Sequence, residues 1–437
     1  MKSYVAIVGR PNVGKSTLFN RITRSRKAIV DDYPGVTRDR IYGDVEWDGR
    51  HFALIDTGGF SAYDSEPFTG IIRGQILTAI QESDAVLLLF DGREGLNPVD
   101  ITICEHLRLA GKPVLYLVNK IDDPKHESAV SEFYRLGIDR LYPISASHGL
   151  GIGDVMDAVT KHLSHGEEPQ EPGDVLRLSV LGRPNVGKSS LINRILDSDR
   201  LVVSSIPGTT RDAVDTMCRV GGQSYQLIDT AGIRRKKSVY QKLEKFSVIK
   251  ALKAIDRSHI VLLLIDAAQG IVDQDITIAS YIAKRHRGCI VVLNKWDLAP
   301  KALNLVSNYV DMVRERIKFL SFAPVLTTSA LTGKGVMKIF NIVNEVSRQY
   351  NARIPTPRLN TMFQEIFMSH EPPRHRGRLV RCYYAAQIAV RPPTFVCFVN
   401  TPEGIPVSYE RYVLNRIRPA SGLTKTPVRI IFRKRKR

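Results

Sequence analysis

The octapeptide GRPNVGKS occurs twice in this chain, at Gly9–Ser16 and at Gly182–Ser189, with equivalent positions 173 residues apart. Each copy follows a short apolar run, YVAIVG (4–9) in the first case and LSVLG (178–182) in the second. The spacing G-x-x-x-x-G-K-[ST] is that of a phosphate loop. Its glycines let backbone N–H groups close round phosphate oxygens, its lysine neutralises charge, and its hydroxyl binds Mg²⁺. Chance can supply one such match behind a strand but hardly an identical pair. The loop alone leaves adenine and guanine nucleotides both open.

The likeness extends well past the loop, so a whole domain is repeated. PGVTRD (34–39) returns as PGTTRD (207–212), and ALIDTGG (53–59) as QLIDTAG (226–232), still 173 residues apart. NKID (119–122) returns as NKWD (294–297) at an offset of 175, and ISAS (144–147) as TSAL (328–331) at 184, which places small insertions in the second copy. Continuous apolar runs read as buried strands: AVLLLFD (85–91) matches IVLLLID (260–266), and VLYLVNK (114–120) matches IVVLNK (290–295). Their alternation with helical stretches predicts a mostly parallel α/β sheet in each copy, with the phosphate loop at a strand's C-terminal end.

Between the copies, SHGEEPQEPGD (164–174) is polar, acidic and proline-containing, and reads as a short linker. After residue 351 the pattern changes. Leu359, Met362, Phe363, Ile366 and Phe367 lie at helical spacing, extended segments follow at 379–390 and 394–400, then a helix at 408–418 and a strand at 426–433. The order α-β-β-α-β in a small basic domain suits RNA binding, as in KH domains. Its only glycines are Gly377, Gly404 and Gly422, so it lacks the G-x-x-G loop with which KH domains grip single-stranded backbone. The expected division is 1–165, a linker at 166–175, 176–351, and 352–437.

Charge separates these parts. The net formal charge is −4 over residues 1–167, +10 over 168–351 and +13 over 352–437. The second copy and the C-terminal part are therefore expected to face a polyanion. The five cysteines are scattered without C-x-x-C spacing, which indicates neither a zinc site nor a disulfide framework and leaves buried free thiols as the reading. No apolar run reaches the ~18–20 residues of a membrane span. The chain enters its first strand without a signal-peptide layout, so a cytoplasmic location without stable membrane association is expected.

The tetrads NKID and NKWD choose the base. Asp122 and Asp297 can each accept from guanine N1–H and its exocyclic amine, whereas adenine offers an acceptor at N1 and no 2-amino group. A polar site of this kind rejects a ligand that cannot match its hydrogen bonds by about 10⁴–10⁵. Asn119 and Asn294 are expected to tie this loop to the phosphate loop, and Lys120 and Lys295 to cover the base with their stems. The backbone of Ser145–Ala146 and Ser329–Ala330 is expected to reach guanine O6.

With these motifs in this order, the chain resembles the EngA (Der) family of bacterial GTPases over essentially its whole length. The resemblance implies an α/β protein of two tandem Ras-like P-loop GTPase domains followed by a C-terminal KH-like α/β domain. It further implies GTP hydrolysis, two GTP/GDP sites with Mg²⁺, and a role in assembling the large ribosomal subunit on its rRNA; a monomer is expected. Carried onto this sequence, the first site comprises Gly9, Arg10, Pro11, Asn12, Val13, Gly14, Lys15, Ser16, Asp56, Thr57, Gly58, Gly59, Phe60, Asn119, Lys120, Ile121, Asp122, Ser145 and Ala146. The second comprises Gly182, Arg183, Pro184, Asn185, Val186, Gly187, Lys188, Ser189, Asp229, Thr230, Ala231, Gly232, Ile233, Asn294, Lys295, Trp296, Asp297, Ser329 and Ala330.

The same resemblance assigns roles. Lys15 and Lys188 meet the phosphates, Ser16 and Ser189 hold Mg²⁺, Thr37 and Thr210 belong to the first switch, and Asp56 and Asp229 hold Mg²⁺ through water. The amides of Gly59 and Gly232 sense the γ-phosphate. Where Ras-like enzymes carry a water-orienting glutamine, this chain has Phe60 and Ile233, neither of which can orient water. Asn12 and Asn185 match the asparagine that helps hold K⁺ beside the phosphates in similar GTPases. The second switch is acidic in the first copy, with Asp64 and Glu66, and basic in the second, with Arg234, Arg235, Lys236 and Lys237. A competing reading is a nucleotide-gated RNA-binding module in which hydrolysis is only a slow reset.

Overall fold

The computed structural model describes residues 3–23, 42–57, 80–163, 175–197, 202–205, 215–229, 248–299 and 305–435. The chain divides into two compact units, Met1–Glu171 with Ser247–Lys253, and Pro172–Phe246 with Ala254–Arg437.

In the first unit, β1 (Ser3–Val8), β2 (Tyr42–Trp47), β3 (Arg50–Asp56), β4 (Ala85–Asp91), β5 (Val114–Asn119) and β6 (Leu141–Pro143) form a sheet in the order β2-β3-β1-β4-β5-β6. Only the β2–β3 pair is antiparallel. Helices α1 (Lys15–Thr23), α2 (Pro98–Ala110) and α3 (Ile152–His162) accompany it. Alternate residues of the same strands feed different cores. Val5, Ile7, Leu87 and Leu89 pack with Leu18, Ile22 and Val155, while Ala6, Val8, Val86, Leu88 and Phe90 pack with Ile103, Leu107 and Phe133. A strand covered on both faces has no polar side, which is why AVLLLFD is continuous rather than alternating. β1 lies between β3 and β4, and the chain order reverses there, so a crevice opens beyond its C-terminal end.

The second unit repeats this plan. Its sheet runs β13-β12-β11-β7-β10-β9-β8, from β7 (Leu176–Leu181), β8 (Val202–Ser205), β9 (Thr216–Val220), β10 (Gln223–Ile228), β11 (Ile260–Asp266), β12 (Gly288–Asn294) and β13 (Val325–Thr327). Helices α4 (Lys188–Leu196), α5 (Val248–Arg257, of which the part from Ala254 belongs to this unit), α6 (Asp273–Lys284), α7 (Leu305–Arg316) and α8 (Lys338–Tyr350) follow in chain order.

The same unit holds a three-stranded sheet. Helix α9 (Thr356–Ser369), β14 (Cys382–Ala389), β15 (Thr394–Val399), α10 (Val407–Ser421) and β16 (Arg429–Lys434) appear in the expected order. The helical stripe Leu359, Met362, Phe363, Ile366 and Phe367 packs with Tyr409, Val413 and Ile417 of α10 and with Phe395, Cys397 and Ile430 of the sheet. Several boundaries differ from the sequence reading, two of them by three residues for a clear physical reason. The last strand starts at Arg429, because Pro427 has no N–H for a ladder. Helix α10 runs past Arg418 and stops where Gly422 turns left-handed at φ 75° and Leu423 N–H caps Arg418 O at 2.9 Å. All five cysteines are free thiols, four of them buried; Cys382 is half-buried, with its Sγ 3.0 Å from that of Cys397.

Candidate functional site

Both phosphate loops join a buried strand to the first turn of a helix. Asn12 and Asn185 take left-handed backbone, at φ 66° and 65°, and Gly14 and Gly187 follow at 99° and 94°. The glycines are required twice over, because a Cβ at Gly14 would collide with the Asn119 side chain and one at Gly187 with Asn294. Lys15 Nζ donates to Gly9 O at 2.9 Å and Arg10 O at 2.7 Å; Lys188 Nζ donates to Gly182 O at 3.0 Å and Arg183 O at 2.9 Å. Burial holds the Lys15 ammonium below its ordinary range, against the opposing pull of Asp56. An anion arriving at this loop relieves that cost, since it supplies a counter-charge.

Ser16 Oγ donates to Asp56 Oδ2 at 2.6 Å, which brings two hard oxygen ligands together beside Lys15. Such a pair suits Mg²⁺, which binds through one or two protein oxygens plus phosphate and keeps several waters. The second repeat arranges its counterpart differently. Asp229 is left-handed at φ 59°, and its N–H donates to Asp215 Oδ1 at 3.1 Å. Asp215 Oδ2 in turn accepts from Arg257 at 2.5 Å.

The base-side loops match closely. Asn119 Nδ2 donates to Val13 O at 2.8 Å, and Asn294 Nδ2 to Val186 O at 2.8 Å, so each phosphate loop is tied to the N-K-x-D loop as expected. Lys120 bonds to Asp91, and Lys295 Nζ donates to Asp266 Oδ2 at 2.7 Å, which anchors each lysine stem at the end of its strand. Burial opposes ionisation of Asp91 and Asp266, yet the lysine ammonium and nearby amides outweigh it and hold both carboxyls below the usual range. One detail departs from the sequence reading. The amides of Ala146 and Ala330 are engaged by Asn119 Oδ1 and Asn294 Oδ1, at 2.9 and 3.1 Å. Ser145 and Ser329 N–H are also spent, on Leu150 O and Lys334 O. The next amides along each loop, those of Ser147 and Leu331, make no hydrogen bond among the described residues.

Sequence reasoning missed a buried carboxylate behind each phosphate loop. Arg10 Nε lies 3.5 Å from Asp100 Oδ2, and Arg183 Nε 3.5 Å from Asp275 Oδ2; both carboxylates are fully buried. Each also accepts the N–H that opens its helix, from Asn97 and Val272 at 3.2 Å. Burial pushes the Asp100 carboxyl up to about 6, against the lowering effect of Arg10. The signal was present in the repeat itself, since an aspartate recurs nine residues after Asp91 and after Asp266. Thr37, Gly58, Gly59, Phe60, Thr210, Thr230, Ala231, Gly232, Ile233 and the charged segments that follow them lie outside the described residues.

Comparison with known proteins agrees with this layout. A family model described as a 50S ribosome-binding GTPase matches residues 4–120 and again 177–295. A second, described as the KH-domain-like part of EngA bacterial GTPase enzymes, matches residues 353–433. The chain is 52% identical to GTPase Der of Syntrophobacter fumaroxidans over 99% of its own length and 98% of the relative's. It is 50% identical to GTPase Der of Syntrophotalea carbinolica over 99% of both chains. Among solved structures, Era of Aquifex aeolicus bound to GDP and aluminium fluoride is 26% identical, covering 48% of this chain and 75% of that one, with a TM-score of 0.31.

Proposed function

Since the chain belongs to the Der (EngA) family of GTP-hydrolysing enzymes, two GTPase domains followed by a KH-like one, we propose that each repeat binds and hydrolyses its own guanine nucleotide in assembly of the large ribosomal subunit. The observation that carries the two-site reading is the matched pair of cross-links, Asn119 to Val13 O and Asn294 to Val186 O, both 2.8 Å. In each repeat this bond fixes the base loop to the phosphate loop, so base reading and phosphate positioning form one rigid frame. The domain boundaries in this reading are 1–165 and 176–351 for the GTPase domains, 166–175 for the linker and 352–437 for the KH-like domain.

Asp122 and Asp297 then accept from guanine N1–H and its 2-amino group, and the open amides of Ser147 and Leu331 meet O6. Lys15 and Lys188 leave their loop carbonyls for the β- and γ-phosphates. Ser16 with Asp56, and Ser189 with Asp229, are the residues that would hold Mg²⁺, which when bound would supply positive charge against that developing on the phosphates. Asn12 and Asn185 are the residues that would hold K⁺. Thr37 and Thr210 complete the two sites. With Phe60 and Ile233 in place of a water-orienting glutamine, intrinsic turnover is slow, about 10⁻⁴–10⁻² s⁻¹.

The partner reading rests on charge and on the family's description as ribosome-binding. The +13 of residues 352–437 includes Arg433, Lys434 and Arg435 at the edge of a sheet whose exposed Tyr384 stacks on Phe398 at 4.4 Å. Cations beside a stacked aromatic pair with one exposed ring suit rRNA, by phosphate contact and stacking. GTP turnover of the full chain with and without purified large subunits tests this. Strong stimulation supports the assembly enzyme, and unchanged turnover with tight GTP-dependent binding supports the RNA-binding switch instead.

A further inference from the structure

The two base loops differ in what surrounds their aspartates. At Asp122, Ser145 Oγ donates to Oδ1 at 2.6 Å, Arg93 Nη2 donates to Oδ2 at 2.5 Å, and His148 Nε2 lies 3.9 Å from Oδ1. In the second repeat the serine is kept as Ser329, but Arg93 is replaced by Ala268 and His148 by Thr332. The guanidinium and the imidazole are thus both gone, and the exposed Asp297 side chain makes no hydrogen bond or ion pair among the described residues. The cross-links to the phosphate loops and the lysine anchors are the same in both repeats, so the contrast does not lie in that shared frame.

From this difference we propose that Arg93 is a specificity-determining residue of the first site: it competes with guanine for Asp122, and so loosens nucleotide at the first repeat relative to the second. The inference rests on the reading that Asp122 and Asp297 accept from guanine. A carboxylate already paired with a guanidinium is a weaker acceptor for two further N–H donors, and its Oδ2 is the oxygen that Ser145 leaves open. Base binding must therefore displace Arg93 or share Asp122 with it. Arg93 is 69% exposed, so the competition is modest and salt-sensitive. The first site consequently gains on the second as ionic strength rises, even while phosphate attraction weakens at both.

The test is calorimetric titration of the full chain with GDP at low and high salt, comparing Arg93→Ala and Ala268→Arg with the parent. The two sites are assigned through Asp122→Asn and Asp297→Asn, each scored by its swing from GDP toward xanthosine diphosphate. The expected result is a first site about two- to fivefold tighter in Arg93→Ala, a second site looser by a similar factor in Ala268→Arg, and a smaller difference between the sites at high salt. Unchanged or weaker GDP at the first site of Arg93→Ala overturns the competition, the weaker case meaning that Arg93 contacts the nucleotide. If Asp122→Asn leaves base selectivity unmoved, the base-site reading fails and the proposal falls with it.

Discussion

The two repeats share their phosphate-loop sequence and its tie to the N-K-x-D loop, and differ in the residues that surround them. Their octapeptides are identical, their loop asparagines lie within a degree in φ, and their asparagine cross-links have the same length. Around that frame the first repeat carries a net −4 and the second +10. Asp56 faces Ser16 directly, whereas Asp229 is turned left-handed and tied through its amide to Asp215. Ile121 of the first base loop is buried, whereas its counterpart Trp296 packs edge-on against Tyr309 at 5.8 Å. Groups that must close round a fixed ligand tolerate little change, while neighbouring charge can drift and tune each site separately.

The largest expected effect falls on base choice. Replacing Asp122 or Asp297 by Asn should cost GTP affinity at that repeat alone, by a factor approaching about 10⁴, and should favour xanthosine nucleotides. Competition binding with GTP and XTP reads this, and loss at both repeats from one substitution breaks the independence of the sites.

Next comes the frame. Asn119→Ala leaves Val13 O and the Ala146 N–H without their partner in a buried setting, at a cost of about 1–3 kcal/mol. Asn294→Ala should cost the same in the second repeat. Hydrogen exchange of β1 and β5, against β7 and β12, separates the two, and a markedly smaller effect in one repeat would show that the frames are not equivalent.

A pH effect of similar size is expected behind the first phosphate loop. The folded Asp100 carboxyl sits at about 6, and an unfolded one at about 3.9. The folded chain therefore binds the extra proton in this window, and stability falls as pH rises from about 4 to about 6, by at most about 3 kcal/mol. Asp100→Asn should flatten that fall in urea unfolding of the first unit; an unchanged profile assigns the pH dependence elsewhere.

Smaller still is the expected response to monovalent cations. If Asn12 and Asn185 place K⁺ by the phosphates, turnover in K⁺ exceeds that in Na⁺ at equal ionic strength, and Asn→Ala at either position removes that repeat's share. Equal rates in the two salts contradict it. The mildest change is on RNA: replacing Arg433 or Lys434 by Ala should lower the slope of log K against log salt by about 0.7–0.9 for each phosphate no longer neutralised, as read by co-sedimentation with large subunits.

How much of this was legible in the sequence follows from the range of the interactions. AVLLLFD and IVLLLID declare themselves as strands because burial on both faces leaves a continuous local pattern, and they occupy Ala85–Asp91 and Ile260–Asp266 as read. The phosphate and base loops are legible because their chemistry is confined to a few consecutive residues. Arg93 with Asp122, Arg10 with Asp100, and Arg257 with Asp215 are not, since each pair joins residues 29 to 90 positions apart with no periodic signal between them. The capture of the Ala146 and Ala330 amides by asparagine carbonyls was equally invisible, because it depends on the side-chain rotamer of a residue on another strand.

The central claim, that each repeat builds a complete guanine-nucleotide site of its own, is tested most directly by calorimetric titration of the intact chain with GDP in Mg²⁺. Two sites are expected in the parent and one in each of Asp122→Asn and Asp297→Asn, the survivor being a different site in the two variants. A single site in the parent, or loss of both sites from one substitution, would contradict it.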